Sequence, residues 1–315
     1  MTESRTRPEQ VALGVVTIVA TVFAMSFADA VVKYVSAELP LWQIFVMRSL
    51  VVIPLLVAFP LFGRPTPVRP KSLFWTFLRG LLLVMMYIAI YAAAPVLSLS
   101  VIAAAFYTGP LFIALFSALL IGEQVGPRRW TAICIGFTGV LVILRPGTEA
   151  FSALMLIPVV AALFYALAAI ITRTKCIEET PVVLALALNF ALLTVGAIAT
   201  AVIALWQPAA SDAAAYPFLL GSWVAMGSRE WGIIGFLAVL MVAIGIGLAK
   251  AYQSAPPTII ATFDYSYLVF AAFWSFAIFA EAPDAATIIG MLLIAGAGLL
   301  VVHGPAGTRR PQAAE

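Results

Sequence analysis

The sequence predicts an all-α polytopic membrane protein: ten transmembrane helices in two inverted five-helix repeats. Three observations predict it. Of the 315 residues, 64% are hydrophobic and 10% charged, where a soluble domain carries about 25% charge. The apolar residues gather into ten long runs separated by Pro, Gly or charge. Two stretches, 90–123 and 248–281, align without a gap at an offset of 158, with eight of 34 positions identical.

The runs are 11–35, 40–61, 72–93, 96–120, 129–145, 152–173, 181–206, 231–252, 257–279 and 286–303. Each approaches or exceeds the roughly 20 residues that cross about 30 Å of hydrocarbon. None alternates with period two, as a barrel strand does. In lipid the backbone must satisfy its own hydrogen bonds, which leaves helices. Basic residues set the orientation. With the N-terminus in the cytoplasm, the inside segments carry eleven (Arg5, Arg7, Arg64, Arg69, Lys71, Arg128, Arg129, Arg173, Lys175, Arg309 and Arg310). The outside loops carry two, Arg145 and Arg229. Both termini are therefore expected in the cytoplasm, and the long 207–230 loop outside, lying partly in the interface. No small-residue cleavage site follows the first run, so no removable signal peptide is expected.

The repeat divides the chain into residues 1–147 and 148–315. Ala93/Ala251, Ile102/Ile260, Ala103/Ala261, Tyr107/Tyr265, Phe112/Phe270, Ala114/Ala272, Ser117/Ser275 and Glu123/Glu281 are the identical pairs. Five spans is an odd number, so the second half enters the membrane upside down. Inverted repeats are a transporter signature, with the site at the repeat interface near the midplane.

Composition excludes other classes. A net charge of +3 with dispersed aromatics gives no nucleic-acid surface, and Cys134 and Cys176 form neither a disulfide framework nor a metal site. No GxxxxGK[ST] motif is present, and no cofactor is expected. An integral-membrane enzyme is the first rival, but the sequence offers no nucleophile near His303, the sole histidine, and no paired carboxylates. A channel is the second, but no ring of like charge or repeated carbonyl filter is visible in one chain.

Several motifs resemble the drug/metabolite transporter superfamily in its ten-helix EamA-type branch. In the first half they are Arg79-Gly80, Ala105-Phe106-Tyr107-Thr108-Gly109-Pro110-Leu111-Phe112, Gly122-Glu123, Trp130, Gly136-Phe137-Thr138-Gly139-Val140 and Arg145-Pro146-Gly147. In the second they are Lys250-Ala251-Tyr252, Ala255-Pro256, Phe263-Asp264-Tyr265-Ser266, Ala282-Pro283-Asp284 and Gly290. Asp29, Lys33 and Arg48 fit a subgroup that includes bacterial S-adenosylmethionine and riboflavin carriers. The resemblance implies a secondary transporter of the bacterial inner membrane that moves a small organic metabolite by alternating access. Exporters of amino acids or drug-like compounds are the alternative within the superfamily. A proton is a candidate coupling ion; the chain would act in the bilayer as monomer or homodimer.

The candidate residues follow from charge and symmetry. Asp264 stands near the middle of its run. A charge there costs about 2.5–3.5 kcal/mol on insertion scales, so it is expected to face the bundle interior. It has no basic neighbour at i±3 or i±4. It either contacts the solute or a coupling proton, or pairs with Lys33, Arg48 or Arg79. Tyr107 and Tyr265, placed symmetrically, together with Phe106 and Tyr267, offer rings to stack on a flat or cationic solute, as do Tyr165 and Tyr252. Arg48 either binds an anionic group or pairs with another helix; Arg79 and Lys250 are expected to snorkel. Asn189 is a lone amide, for a solute or for another helix. Asp29 and Lys33 share a helix face, as a structural ion pair or an outer gate. Pro110 and Pro256, with Pro257, are hinges, fixed kinks or helix starts. Glu123 and Glu281 read as solvated helix ends. Ala243, Gly247 and Ala251 recur every fourth position and predict close helix packing.

Overall fold

A computed structural model describes residues 8–58, 69–122, 126–145, 148, 152–254, 260 and 263–302. Its described elements are helical throughout. They are α1 (Pro8–Val35), α2 (Leu41–Ala58), α3 (Leu73–Ala93), α4 (Leu99–Phe106), α5 (Gly109–Ile121), α6 (Pro127–Leu144), α7 (Ile157–Lys175), α8 (Pro181–Trp206), α9 (Ala210–Ala215), α10 (Pro217–Leu220), α11 (Ser228–Ser254), α12 (Ser266–Phe279) and α13 (Ala285–Val302). Among the described residues, seven stretches are long and apolar enough to cross a membrane, one of them running through α4 and α5. Three shorter apolar helices lie in α6, α12 and α13. Together they occupy the ten runs, and the protein is a multi-pass membrane protein.

Local chemistry sets the boundaries. Thr180 caps α8, its hydroxyl accepting from Val183 N–H at 3.3 Å, and Ser98 caps α4 in the same way from Val101 at 3.4 Å. Prolines open α5, α6, α7 and α8 in their first turns, where a missing N–H costs nothing. At the other end, Gly122 and Ala280 close α5 and α12 in the left-handed region, at φ 75° and 54°. These two caps stand 158 residues apart, and α6 and α13 both begin and end at the same offset. The backbone thus repeats with the spacing of the sequence alignment.

Packing repeats as well. Number the spans so that α4 and α5 form the fourth, α7 the sixth, α11 the eighth, α12 the ninth and α13 the tenth. The third span packs on the sixth, and the eighth on the first. The first packs on the ninth, and the sixth on the fourth; the third packs on the seventh, and the eighth on the second. The second packs on the seventh, and the fifth on the tenth. Exchanging each span with the one five later leaves these pairings unchanged; the fourth span's contacts with the fifth and tenth have no counterpart of that size among the described residues.

Small residues make the closest contacts. A methyl on Gly139 of α6 would come within 2.9 Å of the Gly290 carbonyl oxygen of α13. On α11 a methyl at Gly247 would collide with Thr21 of α1, and Ala251 is fully buried, as the four-residue spacing predicts; Ala243, the first of the three, is exposed instead. Gly290→Ala should force α6 and α13 apart. Overpacking costs about 1–3 kcal/mol, more than the roughly 1 kcal/mol of helix propensity gained. The thermal midpoint in detergent should fall; a raised midpoint would contradict the packing.

One face of the bundle gathers the ends of α1, α3, α6, α8 and α12 and is called here the Lys33 face. The 207–230 segment folds onto it. The Trp42 indole donates to the Leu219 carbonyl at 2.8 Å, and the Gln43 amide exchanges two hydrogen bonds with Val224, at 2.8 and 3.0 Å. On the same face Asp284 caps α13, accepting from Thr287 N–H at 2.8 Å, and pairs with Arg145. Hydrogen bonds from Thr287, then the Arg145 guanidinium, hold its carboxyl below the usual range. A depressed carboxyl stabilises the fold above its unfolded value and loses that contribution as pH falls through the folded value. Asp284→Ala should cost about 1 kcal/mol at neutral pH, and the difference from wild type should shrink in melts taken well below pH 3.8. A pH-independent difference would contradict the assignment.

Candidate functional site

The fourth span is broken where Pro110 forbids a continuous helix. Proline at 110 has no N–H for the Phe106 carbonyl and its ring clashes with that group. The chain turns at Tyr107–Thr108 and restarts as α5 at Gly109, with Pro110 in the first turn. The ninth span breaks at the equivalent place. Tyr265 is a turn residue, and α12 begins at Ser266. Pro110 therefore acts as the breaker of its span; Pro256 and Pro257 lie outside the described residues, as does the Tyr252 side chain.

Six of the nine tyrosines converge on these breaks. The Tyr107 ring stacks on Tyr267 at 5.0 Å and meets Tyr265 at 5.6 Å. Phe106 joins Tyr107 at 6.2 Å to Tyr165 at 5.4 Å. Tyr87 and Tyr91 stack at 5.6 Å on α3. Hydroxyls tie the cluster to both halves. Tyr107 donates to the Asp264 backbone carbonyl at 3.3 Å, Tyr267 to the Asp29 carboxylate at 2.6 Å, and Tyr91 to Asp29 at 3.3 Å.

Asp264 is half-buried beside this cluster. Its carboxylate has no hydrogen bond or ion pair among the described residues. The three pairings weighed from sequence are all absent. Lys33 goes elsewhere. Arg79 donates to the Thr172 hydroxyl at 2.7 Å and the Leu184 carbonyl at 3.4 Å, fixed between helices rather than snorkelling. Arg48 is 2% exposed and lies 5.9 Å from both the Phe45 and Tyr87 rings, with Nη1 unpartnered. Asn189 donates to Ala185 of its own helix at 2.9 Å, not across helices.

Asp29 and Lys33 do not pair with one another. Asp29 accepts the two tyrosine hydroxyls. Lys33 reaches Glu281 at 2.6 and 2.8 Å and the Leu97 carbonyl at 2.9 Å. The spacing of four gave a shared face but not the shorter path, because Ala280 turns the chain left-handed and delivers Glu281 beside the ammonium. Glu281, expected as a solvated helix end, is thus also a paired residue; Ser275 donates to it as well, at 3.2 Å. Glu123 lies outside the described residues. Tyr87 and Tyr91 were not singled out from sequence, although Arg79, Leu83, Tyr87 and Tyr91 recur every fourth residue along one face of α3.

A cavity of about 240 Å³ opens on the Lys33 face beside Arg145 and Asp284, lined also by Ser98 and Met155. No residue of the tyrosine cluster lines it. The described residues hold no group of three or more His, Cys, Asp or Glu side chains able to bind a metal.

An interrupted helix, a buried carboxylate and an aromatic cluster between two bundles accord with a solute carrier, and the comparisons agree. Residues 12–145 match the EamA-like transporter family. The chain carries an EamA-like transporter domain. Similarity to curated relatives runs past that domain into the second half. The S-adenosylmethionine uptake transporter of Rickettsia bellii is 28% identical over 298 residues, 92% of this chain and 94% of that protein. The pseudopaline exporter of Pseudomonas aeruginosa is 27% identical, covering 89% and 93%. The riboflavin transporter of Vibrio cholerae is 24% identical, covering 86% of each. A crystal structure at 16% identity superimposes with a TM-score of 0.60 over 93% of this chain and 97% of that one, so the fold is shared over most of the chain.

Proposed function

We propose that the protein is a secondary carrier that moves a small organic metabolite across the bacterial inner membrane by alternating access, with both termini in the cytoplasm. The two halves, 1–147 and 148–315, rock about a site where the fourth and ninth spans break. The observation that carries this reading is the Asp264 carboxylate: a half-buried acid without a partner among the described residues, at a helix interruption, beside stacked tyrosines. Broken helices between repeats are where carriers place their sites. Tyr165 keeps 38% of its surface exposed at mid-span, and Phe263, next to Asp264, keeps 39%. Both leave ring surface for a solute to cover.

Asp264 receives a cationic or hydroxyl-rich part of the solute, or a coupling proton. Tyr107, Tyr265, Tyr267 and Phe106 provide stacking faces. Arg48, with a free nitrogen, and Asn189 remain candidates for polar contacts. Relatives named for S-adenosylmethionine and riboflavin favour solutes with a flat ring system. The likeness to a pseudopaline exporter favours a second reading, export. A thermal-shift screen on purified protein, followed by liposome uptake, tests both. S-adenosylmethionine or riboflavin should raise the melting point and be taken up saturably. If neither changes stability or flux, the solute assignment fails. Chemical alteration of a bound ligand by the purified protein would overturn the carrier itself.

A further inference from the structure

The two breaks are equivalent by the repeat, yet their hydrogen bonds differ. In the ninth span the Asp264 carbonyl has lost its helical donor, because Leu268 N–H turns to Tyr265 O at 3.1 Å. Tyr107 of the other half supplies a replacement at 3.3 Å. In the fourth span the equivalent carbonyl is that of Phe106, freed by Pro110. The equivalent donor is the Tyr265 hydroxyl, which is buried with no partner among the described residues. No hydrogen bond to the Phe106 carbonyl occurs among the described residues.

Tyr265 is held away by its seat. Its hydroxyl lies against Gly298 of α13, where a methyl group would overlap it. At the equivalent position, 158 residues earlier, stands Val140, packed in the same core as Tyr107. The second half thus has room to park its tyrosine, and the first half does not. A buried hydroxyl without a partner is costly, and is accounted for if a second state of the protein uses it.

The second state follows from which pieces now touch. α4, the piece of the fourth span at the Lys33 face, packs on α12. α5, the opposite piece, packs on α6 of its own half and on α7 and α13 of the other, but makes no comparable contact with α12 among the described residues. The two broken spans therefore meet at the Lys33 face, where Lys33 also binds the Leu97 carbonyl.

We infer that Tyr107 and Tyr265 are reciprocal positioning residues of the transport cycle: Tyr107 bonded to the Asp264 carbonyl holds the state closed at the Lys33 face, and Tyr265, released from Gly298 and bonded to the Phe106 carbonyl, holds the opposite one. This rests on the carrier reading above. Spin labels at the exposed positions Val96 and Ala282, on loops of opposite halves, report the Lys33 face in full-length protein with Cys134 and Cys176 replaced by alanine. A short distance is the closed state, and a long distance the open one. Tyr107→Phe should raise the long-to-short ratio and Tyr265→Phe should lower it, each by about threefold, the scale of one hydrogen bond. Both changes keep the ring. Gly298→Ala fills the seat and should also raise the ratio. Shifts of the two tyrosine variants in the same direction, or none, would overturn the exchange while leaving the carrier intact. A single distance in every variant, with and without S-adenosylmethionine or riboflavin, would overturn both.

Discussion

Asp264→Asn should reduce uptake in liposomes by at least about tenfold while leaving the melting point of the solute-free protein unchanged or raised. The reasoning is local. The carboxylate has no partner among the described residues, so removing its charge relieves a desolvation cost and breaks no described contact. A hydrogen bond to a charged group contributes about 1.5–3 kcal/mol, and each 1.4 kcal/mol is tenfold in affinity. A solute or proton that depends on this acid loses that interaction. The opposite pattern, a destabilised protein that transports normally, would make Asp264 structural. Asp29→Asn provides the contrast. Asp29 accepts from Tyr267 and Tyr91, so its loss should lower stability as well as flux.

Lys33→Met should open the Lys33 face. The ammonium is 7% exposed and Glu281 37%. Removing one member of a buried pair costs about 3–5 kcal/mol. Water reaches Glu281, so about 1–3 kcal/mol is expected here. The same ammonium ties α1 to the Leu97 carbonyl and lies 4.7 Å from the Phe279 ring. Lys33 therefore joins three segments where the halves meet. A cysteine at Leu97, which is 8% exposed, should become more reactive to a water-soluble thiol reagent in the variant, and uptake should fall. Exchanging the charges, Lys33→Glu with Glu281→Lys, should restore part of both, because the pair joins α1 to the loop after α12 and can form in either sense. Equal reactivity in wild type and both variants would remove the gate from the account.

The fold was legible because lipid leaves the backbone few choices. Ten apolar runs imply ten crossing segments, and the offset of 158 in the sequence reappears in the left-handed caps at Gly122 and Ala280 and in the ends of α6 and α13. The interruption of the fourth span was visible only as Pro110; that it falls at Tyr107–Thr108 follows from the clash with the Phe106 carbonyl. Asp264 and the tyrosines at the breaks were legible because charge in an apolar run and symmetry in the repeat both mark them. The ion pairs were not. Lys33 and Asp29 share a face, but whether a lysine reaches along its own helix or across to Glu281 depends on where a distant turn is placed. Asn189 shows the reverse error. A lone amide suggested a bond between helices, yet the carbonyl four residues back was nearer.

The central claim is that solute binds at the two helix breaks, against Asp264. A cryo-electron microscopy map of the protein with the solute that raises its melting point tests this most directly. The account predicts density between Tyr107 and Tyr265, within hydrogen-bond reach of the Asp264 carboxylate. Density confined to the cavity beside Arg145 and Asp284, with Asp264 turned to lipid, would contradict it.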